Sequence, residues 1–271
     1  MRKLLLLLCF LALPAFAKNL DHAIQELTKD VEGKIVTPKT TAELETLFKD
    51  ATDTQIPRIF VDKLPSDFAE KGTPELYVQV MAALVLRSNE RAIKEKMLLT
   101  ALKDKFEKNE PWSPTEESFF QSLVEKYDVV VNKTRATQLD QLTIKVDEII
   151  PGLAVAQSIY ATDWGKKNLD HPYGQMGWLD EKRYEEIPYD SLIRATEAYF
   201  DEMNGATNYW LWRTHRQKAT HRSLKGRSTY TLAGKLTPYR PEDPYYSATI
   251  QKIIINNKPL SNLYEASFIE K

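Results

Sequence analysis

The sequence predicts a mainly α protein with a small β component (α+β), divided into two regions. Apolar residues recur at helical spacing through much of residues 40–146, and no glycine or proline interrupts them between residues 75 and 110. Seven of nine glycines, eleven of thirteen tyrosines and four of five tryptophans lie after residue 150, so the architecture changes near that point. We assign residues 18–136 to a helical N-terminal region and residues 137–271 to a second domain with a small β-hairpin.

The start of the chain has the organisation of a secretory signal peptide. Arg2 and Lys3 precede an apolar run over residues 4–14, and an Ala-Phe-Ala site ends at Ala17. We predict cleavage after Ala17, export to the periplasm and no transmembrane segment in the mature chain, since no later apolar run is long enough. Cleavage also removes Cys9, the only cysteine, which excludes disulfides, thiolate catalysis and Cys-ligated metals.

Charge and motif content exclude further classes of function. The chain has 37 Lys and Arg against 38 Asp and Glu and carries no recognition motif, so nucleic acid is not an expected partner. The four histidines show no H-E-x-x-H spacing, and there is no G-x-S-x-G elbow or glycine-rich phosphate loop. We therefore expect no metal and no cofactor.

The N-terminal region contains clear helix starts. Thr40 with Glu43, and Ser113 with Glu116, have the spacing of capping boxes, and Thr73 is followed by a proline at the first helical position. No catalytic constellation accompanies them, which favours a scaffold or docking module. We expect helices over residues 40–50, over 74–106 as one long helix or two shorter ones, over 114–127 and over 137–146.

Five blocks of the second region follow the order of a known family. Residues 156–165 read A-Q-S-I-Y-A-T-D-W-G, and related blocks lie at residues 170–174, 189–192, 208–213 and 236–246. These blocks resemble the bacterial β-N-acetylglucosaminidases with a lysozyme-like fold. The similarity is closest to the Bax-type branch, which is related to the flagellar rod-associated muramidase domain.

The resemblance extends over most of residues 35–265, because residues 56–58 and 84–90 also look like the N-terminal region of the Bax-type branch. It implies a lysozyme-like, glucosaminidase-type domain in residues 137–271. It also implies a peptidoglycan substrate and a glycoside hydrolase that cleaves β-1,4 bonds.

The residue that should carry this chemistry is missing. Glycoside hydrolysis requires a carboxylic acid that protonates the leaving oxygen. The family places that glutamate on its first helix, in the pattern A-Q-x-x-x-E-S-G-W-G, where this chain has Ala161. A methyl group cannot donate a proton, and general acid assistance contributes about 10²–10⁴-fold to the rate. The family activity is therefore in doubt.

Three carboxylates are possible substitutes for the missing acid. Asp163 lies two residues beyond Ala161, about 200° away on a continuing helix. It would return to the cleft only if the chain left the helix at Thr162. Glu185 and Glu186 lie in the hairpin expected after residues 177–178, where the family often places a variable second acid.

An aromatic groove is the other feature that the resemblance implies. Flat sugar faces stack on aromatic rings, and polar groups meet the hydroxyls. Tyr239 and Tyr246 match a family pattern associated with substrate contact, and Gln157 lies one turn before Ala161. The same residue types also pack in protein cores, so a structural role stays open for each. The candidate substrate-binding residues are Tyr239, Tyr246, Gln157, Tyr173, Trp164 and Trp178.

Residues 203–241 contain no acid and eight basic residues. This segment is either a solvated helix face or a basic surface that binds an envelope polyanion. The basic residues are Arg213, Arg216, Lys218, Arg222, Lys225, Arg227, Lys235 and Arg240.

Three functions fit the sequence. The first is a degenerate envelope protein that binds peptidoglycan glycan strands or an envelope protein without hydrolysis. The second is an active glucosaminidase with a substitute acid. The third is a rigid structural part of an envelope assembly. An open, Tyr-lined groove would favour glycan binding, and a groove filled by Tyr160 would favour a scaffold.

Overall fold

A computed structural model describes residues 20–27, 33–130, 132–180, 183–221, 227–236, 239–240 and 242–270. Within these ranges, the side chains of residues 176–180, 183–186, 219–221 and 227–228 are outside the description. The predicted signal peptide, residues 1–17, also lies outside the described residues.

The protein is mainly helical with small two-stranded sheets, as the sequence predicts. The helices are α1 (Leu20–Leu27), α2 (Thr41–Phe48), α3 (Phe68–Lys71), α4 (Pro74–Glu107), α5 (Pro114–Lys126), α6 (Arg135–Lys145), α7 (Pro151–Thr162), α8 (Leu192–Gly205), α9 (Trp210–His221), α10 (Arg227–Ala233), α11 (Tyr246–Asn256) and α12 (Lys258–Asn262), with 3-10 turns at Thr207–Tyr209 and Leu263–Glu265. The strands are β1 (Lys34–Val36), β2 (Gln55–Ile56), β3 (Ile59–Val61), β4 (Met176–Asp180), β5 (Arg183–Glu186) and β6 (Ser267–Phe268).

The expected helix starts are present. The Thr40 hydroxyl accepts a hydrogen bond from the backbone N–H of Glu43 at the start of α2. Ser113 and Glu116 form a complete capping box at the start of α5. The run that begins at Pro74 is one long helix, α4.

The chain forms two compact units, and each is discontinuous in sequence. One contains residues 1–31 and 90–147, and the other contains residues 32–89 and 148–271. The domain boundary that we placed between residues 136 and 137 stays a prediction. Hydrogen bonds join distant segments of the second unit. The Asn89 amide bonds both the N–H and the C=O of Ile149, and β2 pairs with β6.

The first unit has its own apolar core. Side chains of α1, the end of α4, α5 and α6 pack together there, including Leu102, Phe120 and Leu142, which are fully buried. Glu95 is also buried, and its carboxylate accepts hydrogen bonds from Lys126 and from the Tyr127 hydroxyl. A buried carboxylate requires such partners, so this arrangement fixes α4 against α5.

The second unit contains three short sheets. The β1–β3 and β2–β6 pairs are parallel, and β4–β5 is an antiparallel hairpin in which Trp178 pairs with Tyr184. Helix α7 lies in the core of this unit, since each of its residues except Tyr160 is buried. Within the described part of the chain, no helix combines the length and apolar character needed to cross a membrane.

Candidate functional site

Helix α7 carries Ala161, the position where the resemblance implies an acid, and ends one residue later at Thr162. Asp163 and Trp164 adopt left-handed backbone conformations, with φ of 50° and 63°, and Gly165 follows with φ of 76°. A side chain on Gly165 would meet the Tyr77 ring at 2.6 Å, so glycine is required there. The Thr162 hydroxyl donates to the Tyr77 hydroxyl at 2.8 Å and anchors the end of the helix.

Ala161 is almost completely enclosed, with 9% of its surface exposed. Its methyl group faces Gly174, because a Cβ placed on that glycine would lie 3.5 Å from the Ala161 Cβ and 2.2 Å from the Arg240 guanidinium. Arg240 occupies this space to donate a hydrogen bond to the Gly174 carbonyl at 2.8 Å. At Ala161, the methyl group therefore packs against the backbone at Gly174 and the guanidinium of Arg240.

Gln157 is fully buried one turn earlier and bonds two tyrosines. Its Nε2 donates to the Tyr246 hydroxyl at 2.9 Å, and its Oε1 accepts from the Tyr199 hydroxyl at 2.7 Å. Both amide atoms therefore have protein partners. Burial raises the pKa of Tyr199 and of Tyr246, so both hydroxyls stay protonated and able to donate.

Four tyrosines form a closed cluster around this amide. The Tyr173 ring stacks on Tyr199 with centroids 4.3 Å apart, and Tyr239 stacks on Tyr246 at 5.5 Å. The Tyr239 hydroxyl donates to the Tyr173 carbonyl at 2.9 Å. None of these side chains is more than 3% exposed. Gln157, Tyr173, Tyr239 and Tyr246 therefore contact one another in this structure, and their role in binding substrate stays a prediction.

Tyr160 closes the edge of the cluster. Its ring packs edge-on against Tyr246 at 5.0 Å, and its hydroxyl donates to the Asp243 carboxylate at 2.6 Å. Burial and this hydrogen bond raise the pKa of Tyr160 to about 12, and the same bond lowers the pKa of Asp243. The contact joins the end of α7 to the segment before α11.

The other predicted site residues lie in different settings. Asp163 ends α7 with an exposed side chain, and Trp164 beside it is half-buried. The backbones of Trp178, Glu185 and Glu186 belong to the β4–β5 hairpin, with Gly177 opposite Glu185, but their side chains are outside the described residues. The roles of Asp163, Glu185 and Glu186 as substitute acids therefore stay predictions.

One acid next to the tyrosine cluster, Glu202, is not among the residues that the sequence motifs identify. Glu202 on α8 accepts hydrogen bonds from the Tyr209 hydroxyl and from Gln175 Nε2, both at 3.0 Å. Burial raises the pKa of this carboxyl. The signal in the sequence is its spacing of three residues from Tyr199, which places both on one face of a helix.

The basic segment is only partly a surface feature. Arg213 and Arg216 are 2% exposed, and Arg213 donates to the carbonyls of Met203 and Ala206 at the end of α8. Cations stabilise helix C-termini, so these two arginines have a structural role. Arg213 and Arg216 therefore belong neither to a solvated helix face nor to a basic surface, and both alternatives were wrong for these two residues.

The first unit contains a cavity of about 940 Å³ between α1, α4 and α5. Its charged lining includes Arg91, Glu95, Glu125 and Lys126, and Glu95 bonds Lys126 at 2.8 Å. Positive and negative groups alternate in this lining, so it favours no charge class of ligand.

Among the described residues, no group of His, Cys, Asp or Glu side chains is arranged to hold a metal ion. Comparisons of the chain with protein-family models, curated proteins and solved structures gave no match. The glucosaminidase resemblance therefore depends on the motifs alone.

Proposed function

We propose that this chain is an exported cell-envelope protein that binds an envelope partner protein and does not hydrolyse glycan. The observation that carries the proposal is the closed state of the site. Ala161 provides no proton, and the tyrosines that would contact sugar are buried against one another. Sugar binding would require these rings to be exposed, which would break their stacking and the hydrogen bonds of Gln157.

The position of the acid supports the same conclusion. A glutamate at position 161 would extend towards Gly174 and Arg240. Its carboxylate would lie beside a guanidinium, which favours the ionised form and disfavours a proton donor. Loss of the acid and occupation of its surroundings by Arg240 both argue against hydrolysis.

The test uses the mature chain, residues 18–271, incubated with isolated peptidoglycan sacculi. Released fragments are identified by mass spectrometry, and bound protein is measured by sedimentation. We expect neither fragments nor sedimentation. Sedimentation without fragments would favour binding to the glycan strands themselves. Fragment release by the unmodified chain would overturn the proposal.

A second candidate function is hydrolysis through Asp163. One observation favours it. Helix α7 ends at Thr162 and the chain turns at Asp163, which is the condition for Asp163 to take the place of the missing glutamate. In that case, an Asp163→Asn variant would lose the fragment release of the unmodified chain. Glu185→Gln and Glu186→Gln are the matched tests for the hairpin carboxylates.

A further inference from the structure

The carboxylate of Glu202 on α8 has no cationic partner among the described residues. Its hydrogen-bond donors there, the Tyr209 hydroxyl and Gln175 Nε2, carry no charge. A carboxylate that is partly removed from water is stabilised by a cation or becomes protonated. A cation bound at Glu202 would therefore offset its negative charge.

A second observation at the same place points to a ligand. Gln175 is only 4% exposed, and its Oε1 is buried without a hydrogen-bond partner, while its Nε2 donates to Glu202. The two amide atoms are attached to one carbon, so the unsatisfied acceptor lies beside the carboxylate. Buried acceptors of this kind are rare in folded proteins and require a donor.

The geometry points to an alkylammonium group as the ligand: we propose that Glu202 and Gln175 bind the side-chain ammonium of a lysine on the partner protein. An ammonium has three donors, which match the free lone pairs of Glu202 Oε1 and Oε2 and of Gln175 Oε1. This inference rests on the proposed function and names the group that the partner presents.

Tyrosine side chains are part of the environment of this carboxylate. The Tyr209 hydroxyl donates to it directly, and burial, followed by the charges of Glu202 and Asp201, raises the pKa of half-buried Tyr189. Tyr189 and Glu202 are both partly exposed, so the lysine of the partner would reach the carboxylate from this side. The other tyrosines whose pKa the charge of Glu202 raises are Tyr209, Tyr239, Tyr199 and Tyr246.

The proposal is tested on the mature chain with ¹³C-labelled glutamate carboxyls, observed by NMR. The probe is Nα-acetyl-lysine-N-methylamide, and the matched neutral probe is the norleucine analogue. We expect a saturable shift of the Glu202 carboxyl signal with the lysine probe alone, and a fall in the pKa of Glu202 when the probe is bound. No response of this signal to the lysine probe, or an equal response to norleucine, would overturn the site.

Variants provide an independent measurement. Glu202→Gln keeps the shape of the side chain and should weaken the lysine probe by about 30-fold or more, since removing one member of a buried charge pair typically has an effect of this size. Asp190→Asn, an exposed acid before the same helix, should leave the affinity unchanged. Unchanged binding to Glu202→Gln would refute the site.

An ammonium group can belong to a lysine side chain or to an amino sugar, and glucosamine is the probe that distinguishes these two sources. Tighter binding of glucosamine than of the lysine probe would overturn the assignment to lysine. The proposed function fails separately, since sacculus cleavage would refute it without affecting the amine titration.

Discussion

The prediction that most directly tests the closed tyrosine cluster is the substitution Gln157→Leu. It preserves side-chain volume but removes the acceptor of the Tyr199 hydroxyl and the donor to the Tyr246 hydroxyl. Each buried polar group left without its partner costs about 1–3 kcal/mol. We therefore expect the free energy of unfolding of the second unit to fall by about 3 kcal/mol.

The assay is urea unfolding followed by tryptophan fluorescence. A Trp112→Phe background makes the signal specific, because the other four tryptophans all belong to the second unit. Tyr199→Phe alone should cost about 1–2 kcal/mol, since it leaves Gln157 Oε1 without its donor. The double variant should lose less than the sum of the two single losses, because both members of the pair are then absent.

A loss below about 0.5 kcal/mol for Gln157→Leu would refute this reasoning, since surface substitutions have effects of that size. Gln157 would then line an open groove in solution. Additive losses in the double variant would contradict the direct hydrogen bond between Gln157 and Tyr199.

Three further substitutions test other contacts. Gly152→Ala should destabilise the second unit by about 3 kcal/mol, because the added methyl would lie 2.0 Å from the Leu260 carbonyl oxygen; a gain in thermal stability from helix propensity would contradict that contact. Tyr160→Phe removes the hydrogen bond that lowers the pKa of Asp243. The ionised Asp243 carboxylate stabilises the folded protein above pH 4, and this stabilisation is lost in acid. The variant should therefore show a smaller loss of stability on acidification. Unfolding at pH 7 and pH 3 checks this sign, and an unchanged difference between the two would contradict it. Ser113→Ala should cost about 1 kcal/mol in the first unit and speed amide exchange at residues 115–117, whereas unchanged exchange would argue against the capping box.

Local signals were sufficient to predict where α2 and α5 begin. The capping hydroxyls of Thr40 and Ser113 act on backbone groups three residues away, so the sequence contains the whole interaction. The short sheets could not be predicted in this way. β2 and β6 contain two residues each, and Gln55 pairs with Ser267, so their pairing depends on the folded unit and not on local pattern.

The site was harder to predict because polar residues are buried there. Tyr246 bonds Gln157 across 89 positions of sequence, and only the fold brings them together. Arg213 and Arg216 appeared to be surface residues by their charge, yet they serve carbonyl and amide acceptors near the end of α8. Glu202 was not predicted as a site residue, because a single acid on an amphipathic helix is normally solvated.

The methyl group at position 161 is compatible with the closed tyrosine cluster. A carboxyl on α7 beside Gly174 would need space and hydrogen-bond donors, and the guanidinium of Arg240 is the donor next to it. A methyl group has no such requirement, so the backbone of Gly174 and the guanidinium of Arg240 can pack against it. The rings of Tyr239 and Tyr246 stack on each other and are buried. The substitution Ala161→Glu would therefore place a charged carboxyl in a closed site, and by itself it would not restore hydrolysis.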